Sequence, residues 1–87
     1  MTYQMACALI GEQERRIRKI DGVRFTHEGY EYRLTYRGGF AAYVAIDRRE
    51  VGKRNFKRFG GVVAYDCWTV GQVMDKVADE LEFTPRK

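Results

Sequence analysis

The chain has little of the residues that build disulfide frameworks, metal sites and membrane spans. It contains two cysteines, Cys7 and Cys67, one histidine, His27, and one proline, Pro85. Structural zinc usually takes four cysteine or histidine ligands, so this set is too small, and we expect neither a metal nor another cofactor. No apolar run approaches the roughly 18 residues that a membrane helix requires. The sequence therefore indicates a protein with no membrane partner.

Secretion and catalysis also lack their usual signals. No basic segment precedes the short apolar patch near the start, so we expect a cytoplasmic protein with two reduced thiols, although the sequence leaves a bridge between Cys7 and Cys67 open. Nothing near His27 supplies a recognisable nucleophile, base and orienting group. Gly38-Gly39 and Gly60-Gly61 fit no phosphate-binding loop pattern and are interpreted as turns. We expect a protein that is not an enzyme.

Positive charge, in contrast, is abundant in one place. The 87-residue chain has a formal net charge of +4, and residues 48–58, RREVGKRNFKR, alone carry +5, which leaves −1 for everything else. A local positive field attracts polyanions, and nucleic-acid phosphate is the commonest polyanion in a cell. The six cations of this basic segment are Arg48, Arg49, Lys53, Arg54, Lys57 and Arg58.

The two ends of the chain have helical periodicity. Residues 2–19 predict a helix that Asp21-Gly22 ends, with Glu12–Arg16 and Glu14–Arg18 pairs four residues apart. Its predicted buried stripe is Ala6, Leu9, Ile10, Ile17 and Ile20. A second helix is predicted after Thr69, because Thr69 and Gln72 form a capping-box pattern and Trp68 can pack on Val73. Its predicted stripe is Val70, Val73, Met74, Val77 and Leu81.

The middle of the chain alternates with the period of strands. We predict strands at residues 23–26, 30–37 and 40–47, with turns at 27–29 and 38–39, and a further strand or hairpin at 55–66 that bends at Gly60-Gly61. Tyr30, Tyr32 and Tyr36 share the parity of Leu34 and are predicted to lie in the core, with their hydroxyls at its rim. The prediction is one α+β domain over residues 1–87: an N-terminal helix, a three- to four-stranded antiparallel sheet and a C-terminal helix, with both helices packed on one sheet face.

Two surfaces are candidate binding sites. If Gly52 bends the chain, the basic segment is a finger between strands that contacts phosphates; the alternative is a solvated connection that protects a sheet edge. The second surface is the sheet face away from the helices, where Arg33, Arg37 and Tyr43 offer contacts to bases or sugars, and the alternative is a solvated face with cross-strand charge pairs. Alternation places these residues on that face: Arg24, Thr26, Glu31, Arg33, Thr35, Arg37 and Tyr43.

These features support two hypotheses about function. The first is a small basic module that binds nucleic acid, of a type that the sequence does not specify. The second is a small interaction protein that acts as an inhibitor, adaptor or subunit of a larger protein complex, for example a phage or mobile-element accessory protein that blocks a host defence complex. A homodimer through a strand edge or the open sheet face is compatible with either hypothesis.

Overall fold

The structure is a computed structural model that describes residues 1–11, 13–38, 42–64 and 68–81. Over these residues the sheet is antiparallel with strand order β1-β2-β3-β4, and helices precede and follow it. The predicted α+β fold is therefore confirmed. The elements are α1 (Tyr3–Ile10), a 3-10 turn (Ile17–Ile20), β1 (Arg24–His27), β2 (Tyr30–Arg37), β3 (Tyr43–Glu50), β4 (Lys57–Val63) and α2 (Val70–Glu80).

The core lies between the helices and one face of the sheet. Burial of each large apolar side chain contributes about 1.5–3 kcal/mol to folding, so this layer provides most of the stability. Tyr3 of α1 is buried with its hydroxyl donating to the Met74 carbonyl of α2 at 2.6 Å, which joins the two helices over the sheet. Fully buried side chains of the core include Phe25, Leu34, Val44 and Ile46 from the strands, and Ile20, Val70, Val73, Met74 and Val77 from the helical segments.

The last helix begins as predicted. Gln72 N–H donates to Thr69 Oγ1 at 3.3 Å, and Thr69 N–H donates to Gln72 Oε1 at 2.7 Å, which completes a capping box. Such a cap contributes about 1 kcal/mol by satisfying amides that have no partner within the helix. Trp68 packs against the core and Leu81 is half-buried against it. Among the described residues, no helix has the length and apolar character needed to cross a membrane.

The single helix predicted over residues 2–19 is wrong. Helix α1 ends at Ile10 because Gly11 has φ 96°, a conformation that favours glycine and that an α-helix cannot contain. Leu9, expected in the buried stripe, is 74% exposed. Ile17 and Ile20 are buried as expected, but they belong to the separate 3-10 turn, where the same three-residue spacing also places them together.

Because α1 ends at Ile10, the charge pairs of the following residues differ from those predicted for one long helix. Glu14 contacts Arg16 at 3.2 Å and Lys19 at 3.2 Å, so the predicted pair with Arg18 is not formed. The hydrogen bonds from Arg16, followed by that from Lys19, lower the pKa of Glu14 to about 2. The Glu12–Arg16 prediction lies outside the described residues, because Glu12 is among the residues that the structure does not describe.

The bend predicted at Gly60-Gly61 is also wrong, because both residues lie within β4. Gly60 pairs with Ile46 and Gly61 with Ala45 of β3. A Cβ at Gly61 would lie 2.9 Å from Tyr43 Cε2, so glycine is needed there for close packing rather than for a turn. The structure does not describe residues 39–41, so the predicted 38–39 turn and the predicted start of the third strand at Phe40 stay predictions.

The other predicted strands are present, but β1 and β3 extend beyond their predicted ends, to His27 and Glu50. Tyr30–Arg37 is a strand, and the turn before it has Glu28 at φ 49° and Gly29 at φ 85°, as a two-residue turn between β1 and β2 requires. Tyr32 is buried, whereas Tyr30 and Tyr36 are half-buried against the core. The turn that connects β3 to β4 lies at the same end of the sheet as this β1–β2 turn.

Candidate nucleic-acid interface

The basic segment is a β-hairpin rather than a finger separate from the strands. Arg48 and Arg49 lie in β3, the turn follows at residues 51–56, and Lys57 begins β4 opposite Arg48. Gly52 has φ 93°, which supports the predicted reversal of the chain at this residue. The hairpin thus places four of the six cations on the sheet and the other two, Lys53 and Arg54, in the turn that joins its strands.

Arg49 fastens the hairpin turn to the sheet. Its guanidinium lies 2.7 Å from Glu31 Oε1 of β2, and its Nη1 donates to the Arg54 carbonyl in the turn at 2.9 Å. Val51 N–H also donates to the Gly29 carbonyl of the β1–β2 turn at 3.0 Å. These bonds join the two turns at one end of the sheet, so the backbone that carries Lys53 and Arg54 is anchored at several points.

Arg48 is held by aromatic rings. Its guanidinium carbon lies 4.2 Å from the ring centroid of Tyr30 and 4.4 Å from that of Phe59. Cation–π contacts contribute about 0.5–1 kcal/mol where exposed and more where water is excluded. Arg48 is therefore a half-buried, positioned cation, and its alternation with Ile46 places it on the helix side of the sheet.

On the opposite face, one carboxylate binds two arginines. Asp47 is 8% exposed and accepts hydrogen bonds from Arg58 Nε at 2.7 Å and Arg33 Nη2 at 3.2 Å. Burial raises the pKa of Asp47, but the hydrogen bonds from Arg58 and Arg33 outweigh it and keep that pKa below its ordinary value. Arg58, predicted to contact phosphate, is thus bound within the protein.

Phe56 covers part of the same face. The guanidinium carbons of Arg33 and Arg49 each lie 4.3 Å from its ring centroid, and that of Arg24 lies 5.4 Å away. The face therefore contains cross-strand charge pairs under an aromatic ring, which was the alternative to an open platform. Phe56 belongs to the basic segment, but its position over the neighbouring strands depends on strand register, which the sequence does not show.

The three residues predicted to contact bases or sugars do not form one surface. Arg33 is bound by Asp47, and half-buried Tyr43 packs against Gly61 with its hydroxyl 3.4 Å from Arg58 Nη1. Arg37 is exposed at the far end of β2 from the basic hairpin, opposite Tyr43 in the register. The structure brings Arg33 and Arg58 together on Asp47, places Tyr43 beside Arg58 and leaves Arg37 apart.

A groove of about 450 Å³ lies along the basic hairpin. Its volume is in the range of ordinary ligand sites. Its lining has five cations against one carboxylate, Glu50, together with one aromatic residue that sequence reasoning did not assign to a site, Tyr30. The cations that line this basic groove are Arg48, Arg49, Lys53, Arg54 and Lys57.

In the described part of the chain, no carboxylate forms an ion pair with four of these five cations. Three of the four, Lys53, Arg54 and Lys57, are exposed, and the fourth, Arg48, is half-buried. Arg49 differs because Glu31 offsets its charge. The five cations of the lining, together with the two carboxylates of Glu50 and Glu31, therefore give a formal charge of +3 around the groove.

The described residues offer little support for a metal site or for a reactive histidine or cysteine. Over the ranges given above, no three His, Cys, Asp or Glu side chains are arranged to hold a metal ion. His27 is half-buried with its Nε2 3.7 Å from Glu28, and Cys7 is half-buried, whereas Cys67 lies outside the described residues, so the predicted state of the thiols stays a prediction.

Comparison with known proteins does not identify a function, so a functional proposal depends on the geometry of the site. No protein-family model matches the chain, and searches of the curated proteins and of the solved structures find no significant similarity to it.

Proposed function

We propose that this protein binds nucleic acid, without catalysing a reaction, through the basic groove of its β3–β4 hairpin. The observation that carries the proposal is the concentration of five cations around one groove in a protein whose remaining residues sum to a slightly negative charge. A cleft lined by one sign of charge concentrates the field and raises the local concentration of the opposite charge. Nucleic acid is the polyanion with the matching chemistry.

The exposed cations provide the phosphate contacts. Lys53, Arg54 and Lys57 project at the turn and the start of β4, where release of counterions from phosphates favours binding. Arg48 adds a fourth cation at the groove wall. Arg33 is not part of this proposal because Asp47 already binds it.

The test is fluorescence anisotropy of labelled oligonucleotides with a triple variant, Lys53→Ala, Arg54→Ala and Lys57→Ala. We expect the variant to lose at least about tenfold in affinity at low salt, because phosphate contacts supply most non-specific affinity. The matched control is Arg15→Ala, Arg18→Ala and Lys76→Ala, which removes three other exposed cations and leaves the same formal net charge of +1. The control should bind almost as tightly as the unmodified protein.

Both variants change exposed side chains, so both should fold, and circular dichroism verifies this. Equal losses in the two variants would mean that total charge, and not the groove, governs binding. No binding by the unmodified protein at low salt would remove the proposal.

A second candidate function is docking on a larger protein complex, and helix α1 supplies the observation that favours it. The helix has no charged residue, and its Met5 and Leu9 are 58% and 74% exposed. Leu9 lines a groove of about 430 Å³ together with Ile10 and Val23. Exposed apolar patches of this kind mark contact surfaces. Met5→Gln with Leu9→Gln should then abolish capture of a partner from nuclease-treated lysate while nucleic-acid binding stays unchanged. Persistence of that capture would remove this candidate.

A further inference from the structure

The aromatic rings near the basic groove are already occupied by arginines. Arg48 lies over Tyr30 and Phe59, and Arg33 and Arg49 lie over Phe56. Proteins that bind single strands gain about 1–3 kcal/mol per base from stacking on aromatic side chains. A base that stacked on one of these faces would have to displace a guanidinium from its ring.

Two of the five groove cations, and the backbone of the turn that carries Lys53 and Arg54, are also held in place before any ligand arrives. Arg48 lies between two rings, and Arg49 binds both Glu31 and the carbonyl of Arg54. Lys53 N–H donates to the Glu50 carbonyl at 2.9 Å, which closes the turn. A site with a fixed backbone and two positioned arginines loses less conformational entropy on binding than an extended loop would, and it suits a ligand whose phosphates are also held at regular positions.

A nucleic-acid duplex has those properties, and a single strand does not. Its phosphates follow a stiff helix, and its bases are stacked inside, so binding requires no open aromatic face on the protein. We propose that the basic groove binds the phosphate backbone of a nucleic-acid duplex without base stacking, an inference that rests on the proposed function. Lys53, Arg54, Lys57 and Arg48 contact consecutive or facing phosphates, and duplex DNA and duplex RNA supply the same chemistry.

The test compares a DNA duplex, an RNA duplex and the separated strands of each by anisotropy across a salt series. We expect at least one duplex to bind at least about tenfold more tightly than its separated strands, and the logarithm of its association constant to fall with a slope of about −3 to −4 for four phosphate contacts. The Lys53→Ala, Arg54→Ala and Lys57→Ala variant should reduce that slope by about 2 to 3. The DNA and RNA arms identify which backbone is preferred.

A second readout detects stacking directly. A fluorescent purine analogue in the strand changes its emission when a protein ring stacks on it, and we expect no change on binding. Equal or tighter binding of single strands, or a clear change in emission, would overturn the duplex inference while leaving nucleic-acid binding in place. Absence of binding to every oligonucleotide would overturn both.

Discussion

Asp47 of β3 accepts a 2.7 Å hydrogen bond from Arg58 Nε of β4, and its second oxygen accepts one from Arg33 of β2. One carboxylate therefore joins three neighbouring strands on the sheet face that the helices leave uncovered. It also keeps Arg58, a cation of the basic segment, on the sheet and away from the basic groove.

Asp47→Asn should destabilise the protein by about 1–2 kcal/mol. Hydrogen bonds to charged groups contribute about 1.5–3 kcal/mol each when buried, but the Arg33 and Arg58 side chains are 37% and 49% exposed, so solvent screening reduces the loss. Urea unfolding measures the change. Asp79→Asn, at an exposed position of α2, is the control and should change stability by less than about 0.5 kcal/mol. Equal effects of the two substitutions would contradict the bridging role of Asp47.

Acid should destabilise the protein through the same carboxylate and through Glu14. The pKa values of both are lowered from ordinary values of 3.8 for Asp47 and 4.5 for Glu14. A lowered carboxylate pKa stabilises the folded state above the unfolded pKa, and this contribution is lost as pH falls through the folded pKa. The urea midpoint should therefore stay level from neutral pH to about 5 and fall towards pH 2. Asp47→Asn should make that fall shallower, and an unchanged pH profile in this variant would contradict the prediction.

Gly61→Ala should destabilise the protein by about 1–3 kcal/mol, the usual range for overpacking. The added Cβ would lie 2.9 Å from Tyr43 Cε2 and 3.1 Å from the Val44 carbonyl oxygen, so the strand or the ring has to shift. Gly60→Ala is the matched control, because its nearest neighbour would be Glu80 Oε2 at 3.6 Å, an ordinary contact. Urea midpoints of the two variants decide the matter. Equal costs would mean that general strand flexibility, and not the Tyr43 contact, requires glycine at position 61.

Local patterns predicted the parts of the fold that local chemistry determines. The Thr69–Gln72 capping box marked the start of α2, and the alternation of Tyr30–Arg37 marked both the strand and its buried face. The periodicity of apolar residues gave a wrong prediction where an α-helix and a 3-10 turn both fit the same three-residue spacing. Ile17 and Ile20 fit one face of an α-helix but also one face of a 3-10 turn, and the positive φ of Gly11 ends α1 before that turn begins.

The candidate site was predicted by composition and not by geometry. The charge of residues 48–58 identified the basic segment, but nothing in its order indicated that Arg49 and Arg58 would bind Glu31 and Asp47 on neighbouring strands. Such pairs depend on strand register, which long-range packing sets. The bend predicted at Gly60-Gly61 is wrong for a related reason, because glycine at position 61 makes room for the ring of Tyr43 on the neighbouring strand.

The most direct test of the central claim is a titration of the isotope-labelled protein with a short duplex, followed by amide chemical shifts in NMR. The account predicts that the shifts that change cluster at residues 48–58 and at the adjoining turn around Gly29, while those of α2 stay constant. Changes centred on α1 or α2, or no changes at low salt, would contradict nucleic-acid binding by the basic groove.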